Sequence, residues 1–245
     1  DHSLAELRRE IGYIASRDNL SYLDKEHKCL LRTFSILAES EIESIDYLDL
    51  FRPLLSESAL LGEVTPEYML LDDPEVNILK ETVGDNATII LMCRDPIDRL
   101  ISSAKLFNAY HGLNMNEYDI TEWILKELDE ESLWIQAQDR YNDYRRAIIT
   151  FSRHFSRFLA IDFTSLFSSP LSVAAKVSEV GEVRIDTEKF VALAKDKQNT
   201  LGDLEIRSQA LHQRLVQRYE CQRRYLGELF ASRPVVSRNE RNEFC

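Results

Sequence analysis

The residues best suited to chemistry are an arginine and a serine that lie eight residues apart, Arg94 and Ser102. A guanidinium donates hydrogen bonds in a planar fork that matches phosphate oxygens, and a serine hydroxyl can donate one more. Asp95, directly after the arginine, is a good helix N-cap, and helix N-termini favour anions. The pattern is therefore compatible with a phosphate site. From spacing alone, an ordinary capped helix that carries a surface ion pair between Asp95 and Arg99 is the simpler interpretation.

The elements around these residues form a strand followed by a helix. The aliphatic run before Arg94 is bounded by Asp85 and Asn86 and predicts a buried strand. Pro96 suits the first helical position, and the apolar residues beyond it recur at helical spacing. The predicted core face of this helix consists of Ile97, Leu100, Ile101, Ala104 and Phe107. Because open α/β sheets bind ligands outside the carboxyl ends of their strands, this unit would present Arg94 where ligands bind.

The rest of the chain alternates helical and strand-like patterns. We predict helices over 3–15, 39–51, 73–83, 119–128, 133–155, 172–178 and 204–230, strands over 60–64 and 158–161, a loop over 108–116 and an irregular segment over 179–203. Alternating strands and helices predict an α/β fold with a central parallel sheet covered on both faces, a three-layer α/β/α arrangement. No repeat or linker interrupts the pattern, so we expect one domain over 1–245.

Composition narrows the classes of function. The chain has 30 basic and 42 acidic residues and a net charge of −12, which argues against nucleic acid or a polyanionic glycan as partner. No apolar stretch is long enough to cross a bilayer. The four cysteines form no C-x-x-C pair or zinc-ligand spacing. We therefore expect reduced thiols, no metal and a cytoplasmic location.

The block from Arg94 to Ser102 resembles the 3′-phosphate-binding motif of sulfotransferases that use 3′-phosphoadenosine-5′-phosphosulfate (PAPS). That motif typically reads R-[ND]-P-x-[DE]-R-x-x-S after a hydrophobic strand, and Arg94, Asp95, Pro96, Arg99 and Ser102 match it, as does the acidic residue before Arg99. The resemblance implies a sulfotransferase fold related to that of P-loop nucleotide hydrolases. It also implies that Arg94 and Ser102 bind the 3′-phosphate of the co-substrate PAPS and of the product PAP, 3′-phosphoadenosine-5′-phosphate.

Other segments resemble the family in the expected order. Residues 61–68 are similar to its G-E-K-[ST]-P-x-Y signature, with Val64 in place of the lysine, and residues 141–166 resemble its later helix–strand unit. Residues 24–27 are similar to its K-E-x-[HY]-[FY] element, which implies Glu26 as the catalytic base, with His27 as the neighbouring possibility. The same residues could instead form an exposed charged turn. His111 is a weaker base candidate, and Lys195 and Lys197 could also reach the 3′-phosphate or could be solvated.

One part of the family pattern has no counterpart in this sequence. The 5′-phosphosulfate loop, K-x-G-T-[TS], needs glycine so that successive N–H groups can surround an anion, and no glycine precedes Gly12. We expect the first strand and this loop to lie upstream of residue 1. The resemblance implies sulfuryl transfer from PAPS to a hydroxyl or amine of a small molecule, lipid or short glycan. The alternative is a non-catalytic nucleotide-binding or interaction protein that keeps the fold.

Overall fold

The computed structural model describes residues 60–195 and 206–238. The chain divides into two compact units, Asp1–Thr65 and Pro66–Cys245. In the first unit the described residues are 60–65, which have no regular secondary structure. The prediction of a short strand over 60–64 is therefore wrong. Leu60 is 67% exposed and Val64 94% exposed, so little burial is available to stabilise a strand there.

The second unit begins with a 3-10 helix, Pro66–Leu70, and continues with alternating helices and strands. Its first half contains α1 (Asp73–Val83), β1 (Thr88–Cys93), α2 (Pro96–Tyr110), α3 (Glu117–Asp129), α4 (Leu133–Asn142), α5 (Tyr144–His154) and β2 (Arg157–Asp162). Its second half contains α6 (Ser165–Ser168), α7 (Pro170–Gly181), α8 (Thr187–Lys195), α9 (Gln209–Arg218), α10 (Glu220–Phe230) and β3 (Val235–Ser237).

The described strands form one sheet with β2 in the middle. β1 and β2 are parallel, with Cys93 opposite Asp162, whereas β2 and β3 are antiparallel, with Ile161 opposite Val235. The predicted α/β class is confirmed. The described sheet is mixed, so a three-layer arrangement around a central parallel sheet stays a prediction.

Alternate residues of β2 contribute to different parts of the core, as the period of a strand requires. Phe158 and Ala160 belong to a cluster with residues of α1, α5 and α10, and Leu159 and Ile161 pack with Val173 of α7. A further apolar cluster joins α2, α3, α4 and α9. Three residues of the predicted α2 core face, Ile97, Leu100 and Ala104, are buried in it, and Ile101 packs against it.

Two predicted long helices are each broken once. Residues 133–155 divide at Asp143, where ψ is 64° and the side chain accepts a hydrogen bond from the N–H of Arg146 at 3.1 Å. The described part of 204–230 divides at Tyr219, whose ring is buried and whose hydroxyl donates to Asp139 at 2.9 Å. In both places a tertiary or capping contact outweighs the continuous apolar period.

Other boundaries also differ from the sequence prediction. Much of the segment predicted as irregular is helical, because α7 extends to Gly181 and α8 begins after Asp186, whose side chain accepts from the N–H of Lys189 at 3.0 Å. The predicted loop over 108–116 is shorter, since α2 extends to Tyr110. The three-residue strand β3 was not predicted. Among the described helices, none combines the length and apolarity that a bilayer span requires.

Candidate functional site

The candidate site lies at the carboxyl end of β1, where Arg94 follows the strand. The carbonyl of Cys93 accepts a hydrogen bond from the N–H of Phe163 at 2.7 Å, so the residues that follow β1 and β2 meet at the same edge of the sheet. The guanidinium carbon of Arg94 lies 5.2 Å from the centre of the Phe163 ring. The aromatic face therefore supports the guanidinium at the strand end.

The Arg94 guanidinium forms no ion pair or hydrogen bond with any residue in 60–195 or 206–238. Its backbone N–H, by contrast, donates to the hydroxyl of Tyr144 at 3.3 Å. Burial raises the pKa of that phenol to about 12, so it remains protonated around neutral pH. The backbone of Arg94 is held, while the donors of its side chain remain available for a ligand.

The start of α2 is fixed by Asp95. One carboxylate oxygen accepts from the N–H groups of Ile97 and Asp98 at 2.9 and 3.3 Å, which confirms the predicted N-cap. The other oxygen accepts from Nε of Arg223, in α10, at 2.7 Å. Because Asp95 is occupied by these partners, the ion pair with Arg99 that the sequence left open does not form.

Arg99 makes its contacts with α4 instead. Its Nε donates to Oδ1 of Asn142 at 2.5 Å, and one of its amino groups donates to the carbonyl and to Oε1 of Gln138 at 3.0 and 2.9 Å. Asn142 in turn donates to the carbonyl of Pro96 at 3.2 Å. These bonds connect the first two turns of α2 to the end of α4.

Ser102 lies on α2, eight residues after Arg94, and is partly buried. Seven residues separate it from the N-cap Asp95, so helical geometry places it nearly in line with the start of the helix. Its hydroxyl has no side-chain hydrogen bond in the described part of the chain. Arg94 and Ser102 are thus carried by one strand–helix unit, and their joint role in binding stays a prediction.

The three residues that follow the 61–68 segment lie beside α4 and α5. Arg140 donates to the carbonyl of Leu70 at 3.1 Å, and Arg146 donates to the carbonyls of Leu71 and Met69 at 2.8 and 2.5 Å. Two arginines therefore satisfy the carbonyl groups at and just beyond the end of the 3-10 helix, which would otherwise lack partners.

The phenol of Tyr141, on α4, connects that segment to the candidate site. Burial is the main cause that raises the pKa of Tyr141, and the charge of Glu67, in the 3-10 helix, raises it further. The guanidinium carbon of Arg99 lies 5.4 Å from the centre of the same ring. Residues near the start of the 3-10 helix therefore lie close to the Arg99 end of the site.

Cys93 contributes to packing. Burial, together with the nearby carboxylate of Asp162, raises the pKa of its thiol far above the ordinary value, which makes a thiolate nucleophile unavailable. Asp162 accepts hydrogen bonds from the hydroxyls of Thr164 and Ser165.

Of the other predicted site residues, the structure describes the positions of His111 and Lys195. Glu26, His27 and Lys197 lie outside the described residues. His111 follows the last residue of α2, and its ring packs 4.3 Å from that of Phe107, so it lies at the far end of the helix from Arg94. Lys195 is exposed at the end of α8.

Sequence reasoning missed the residues that hold the site in place. Gln138 lies outside the segments that resemble the family, whereas Asn142, Tyr144 and Phe163 lie in the 141–166 segment without a predicted role. All four lie 39 or more residues from Arg94 and Arg99 in the chain. The position of Phe163, two residues after the predicted strand 158–161, is a local signal that could have found it.

Comparison with known protein families identifies the family to which this chain belongs. The family model described as "Sulfotransferase domain" matches residues 73–200, which is just over half of the chain. The chain belongs to this sulfotransferase domain family. No curated protein and no solved structure matches it.

The matched region includes the whole β1–α2 unit and the helices from α1 to α8, whereas α9 and α10, which also contact α2 or its N-cap, lie beyond it. Within the described ranges no group of three or more His, Cys, Asp or Glu side chains could hold a metal ion. The Arg94 guanidinium after β1 and the Ser102 hydroxyl on α2 have no hydrogen-bond partner among the described residues, and both types of group can donate to an anion.

Proposed function

We propose that this sulfotransferase moves a sulfuryl group from PAPS to a hydroxyl or amine of a small molecule, lipid or short glycan. Arg94 and Ser102 bind the 3′-phosphate of the nucleotide. The observation that carries the proposal is the Arg94 guanidinium, held at the carboxyl end of β1 by the Phe163 ring while its five donors have no acceptor among the described residues. The family to which the chain belongs supports the donor.

The reaction is an in-line displacement at sulfur. The bond between sulfur and the 5′-phosphate oxygen breaks, the acceptor oxygen or nitrogen bonds to the same sulfur, and PAP leaves with the released electron pair. By analogy with phosphoryl transfer, catalysis consists mainly of positioning and charge stabilisation. The acceptor proton passes to the carboxylate of Glu26, with His27 as the neighbouring possibility.

The rest of the proposal concerns fold and location. We place the described elements in a three-layer α/β/α fold around a central parallel sheet, and we extend this fold over 1–245 as a single domain. The enzyme works in the cytoplasm. The two free cysteines of the described chain, buried Cys93 and exposed Cys221, support a reducing compartment.

The proposal is tested by calorimetric titration of PAP into the wild-type chain and into Arg94→Ala. Loss of a charge-assisted phosphate contact should weaken binding by about 1.5–3 kcal/mol, roughly ten- to a hundredfold. Arg153→Ala is the matched control, because it removes the same charge from an exposed position at the far end of α5. Equal affinities of wild type and Arg94→Ala for PAP would overturn the site assignment.

A further inference from the structure

Arg99 is a cation enclosed by neutral oxygen atoms. All three of its hydrogen bonds go to amide or peptide oxygens, those of Asn142 and Gln138, and its planar group lies over the ring of Tyr141. Within residues 60–195 and 206–238 it has no carboxylate at ion-pair distance. Charges that are withdrawn from water in proteins are usually paired with an opposite charge, and the partly buried Arg99 has no such partner in these ranges.

The surroundings of Arg99 do not cancel its charge. The groups that interact with it electrostatically are the phenols of Tyr141, Tyr144 and Tyr219 and the cation Arg94. Burial lowers the pKa of Arg99, and the like charge of Arg94 lowers it further. A guanidinium nevertheless remains protonated because its ordinary pKa is so high. Two positive charges therefore lie at the start of α2, and neither is neutralised by the described protein.

A partly buried charge without a counter-charge has an unfavourable desolvation free energy, which the binding of an anion can offset. The carboxylate nearest in sequence, Asp95, bonds the N–H groups of its own helix and Arg223. Arg99, which is partly buried, loses part of its hydration when the chain folds, and attraction to an anion bound nearby would offset this loss. A dianionic group bound beside Arg94 would be stabilised by the positive charges of both Arg94 and Arg99.

We infer that Arg99 is a positioning residue of the 3′-phosphate site, which fixes the first turns of α2 through Asn142 and Gln138 and supplies a second positive charge to the phosphate without contacting it. This inference rests on the proposed function. The connection to the site is direct, because Asn142 accepts from Arg99 and donates to the carbonyl of Pro96, two residues after Arg94.

The sharpest test neutralises the charge of Arg99 with a carboxylate while an oxygen atom at position 138 still accepts its hydrogen bond. In Gln138→Glu, the side chain retains its shape and still presents an oxygen to Arg99, 2.9 Å away in the wild type, but it now carries a negative charge. Gln213→Glu is the matched control, since it adds the same charge to an exposed position on α9 whose side chain bonds to no described residue. Arg99→Met removes both the charge and the hydrogen bonds.

The readout is the dissociation constant for PAP and for 5′-AMP, which lacks the 3′-phosphate, with thermal unfolding as a check that each variant is folded. Gln138→Glu should weaken PAP binding about tenfold and change 5′-AMP binding less than about twofold. Arg99→Met should show the same selective loss, and Gln213→Glu should bind both nucleotides as the wild type does.

Wild-type affinity of Gln138→Glu for PAP, or an equal loss for both nucleotides, would overturn the role of Arg99. A wild-type chain that does not prefer PAP to 5′-AMP would instead overturn the proposed function itself, and this inference with it.

Discussion

Arg94 and Ser102 are expected to contribute differently to a bound phosphate. Arg94 brings a full charge and a rigid set of donors supported by the Phe163 ring, whereas Ser102 brings one neutral hydroxyl from the second turn of α2. A charge-assisted contact is roughly twice as strong as a neutral one. The larger share of the binding free energy therefore belongs to Arg94.

Substitution of Ser102 by alanine tests the smaller contribution. We expect Ser102→Ala to weaken PAP binding by about 1 kcal/mol, roughly fivefold, with little change in stability because the hydroxyl has no side-chain partner among the described residues. Ser103→Ala, a similar partly buried position one residue further along α2, should bind PAP as the wild type does. The measurement is isothermal titration calorimetry, and equal losses in the two alanine variants would contradict a specific role for Ser102.

At the level of elements, the β1–α2 unit was predictable because its signals are local. A short β-branched run, an aspartate N-cap and a proline at the first helical position all act over a few residues, and the structure has the strand, the cap and the helix in those places. The contacts of Arg99 with α4 were not predictable, because they join residues 39 and 43 positions apart that meet only after the chain has folded. The break at Asp143 was not predicted because its local cap on the N–H of Arg146 competes with a continuous apolar period.

The N-cap of α2 gives a prediction about stability. Asp95→Ala removes the acceptor for two N–H groups and the partner of Arg223, so we expect the free energy of unfolding to fall by about 1–2 kcal/mol. Asp98→Ala, an exposed acidic residue in the same helical turn, should cost less than about 0.5 kcal/mol. Urea denaturation of the three proteins measures the difference. A loss in Asp95→Ala no larger than that in Asp98→Ala would show that the cap does not hold the site.

For the molecule as a whole, the net charge affects which ligands can bind. The net charge of −12 repels an anionic nucleotide at long range, so we expect binding to depend on the local positive charge of Arg94 and Arg99. The same net charge disfavours a nucleic acid or a polyanionic glycan as a partner, so we expect an acceptor that is small or weakly charged.

The ionisation of buried tyrosines is expected to lower the free energy of unfolding at alkaline pH. Burial raises the pKa of Tyr144 from 10.0 to about 12 and also raises that of Tyr219. Because the folded pKa exceeds the unfolded one, the stabilisation from Tyr144 is complete below pH 10 and is lost as the pH rises towards 12. We expect the free energy of unfolding to decrease over this range by an amount on the order of 2–3 kcal/mol from Tyr144.

Urea denaturation at pH 8 to 12 measures this decrease, and Tyr144→Phe, which has no ionisable hydroxyl, should show a shallower dependence on pH. Tyr118→Phe is the control, since Tyr118 is 69% exposed. Identical pH dependence in wild type and Tyr144→Phe would contradict the assignment of the slope to this phenol.

The most direct test of the central claim is a crystal structure of the chain with PAP bound. We expect 3′-phosphate oxygens within about 3 Å of both the Arg94 guanidinium and the Ser102 hydroxyl, with Arg99 still bonded to Asn142 and Gln138. A 3′-phosphate bound elsewhere, with Arg94 and Ser102 turned towards other protein groups, would contradict it.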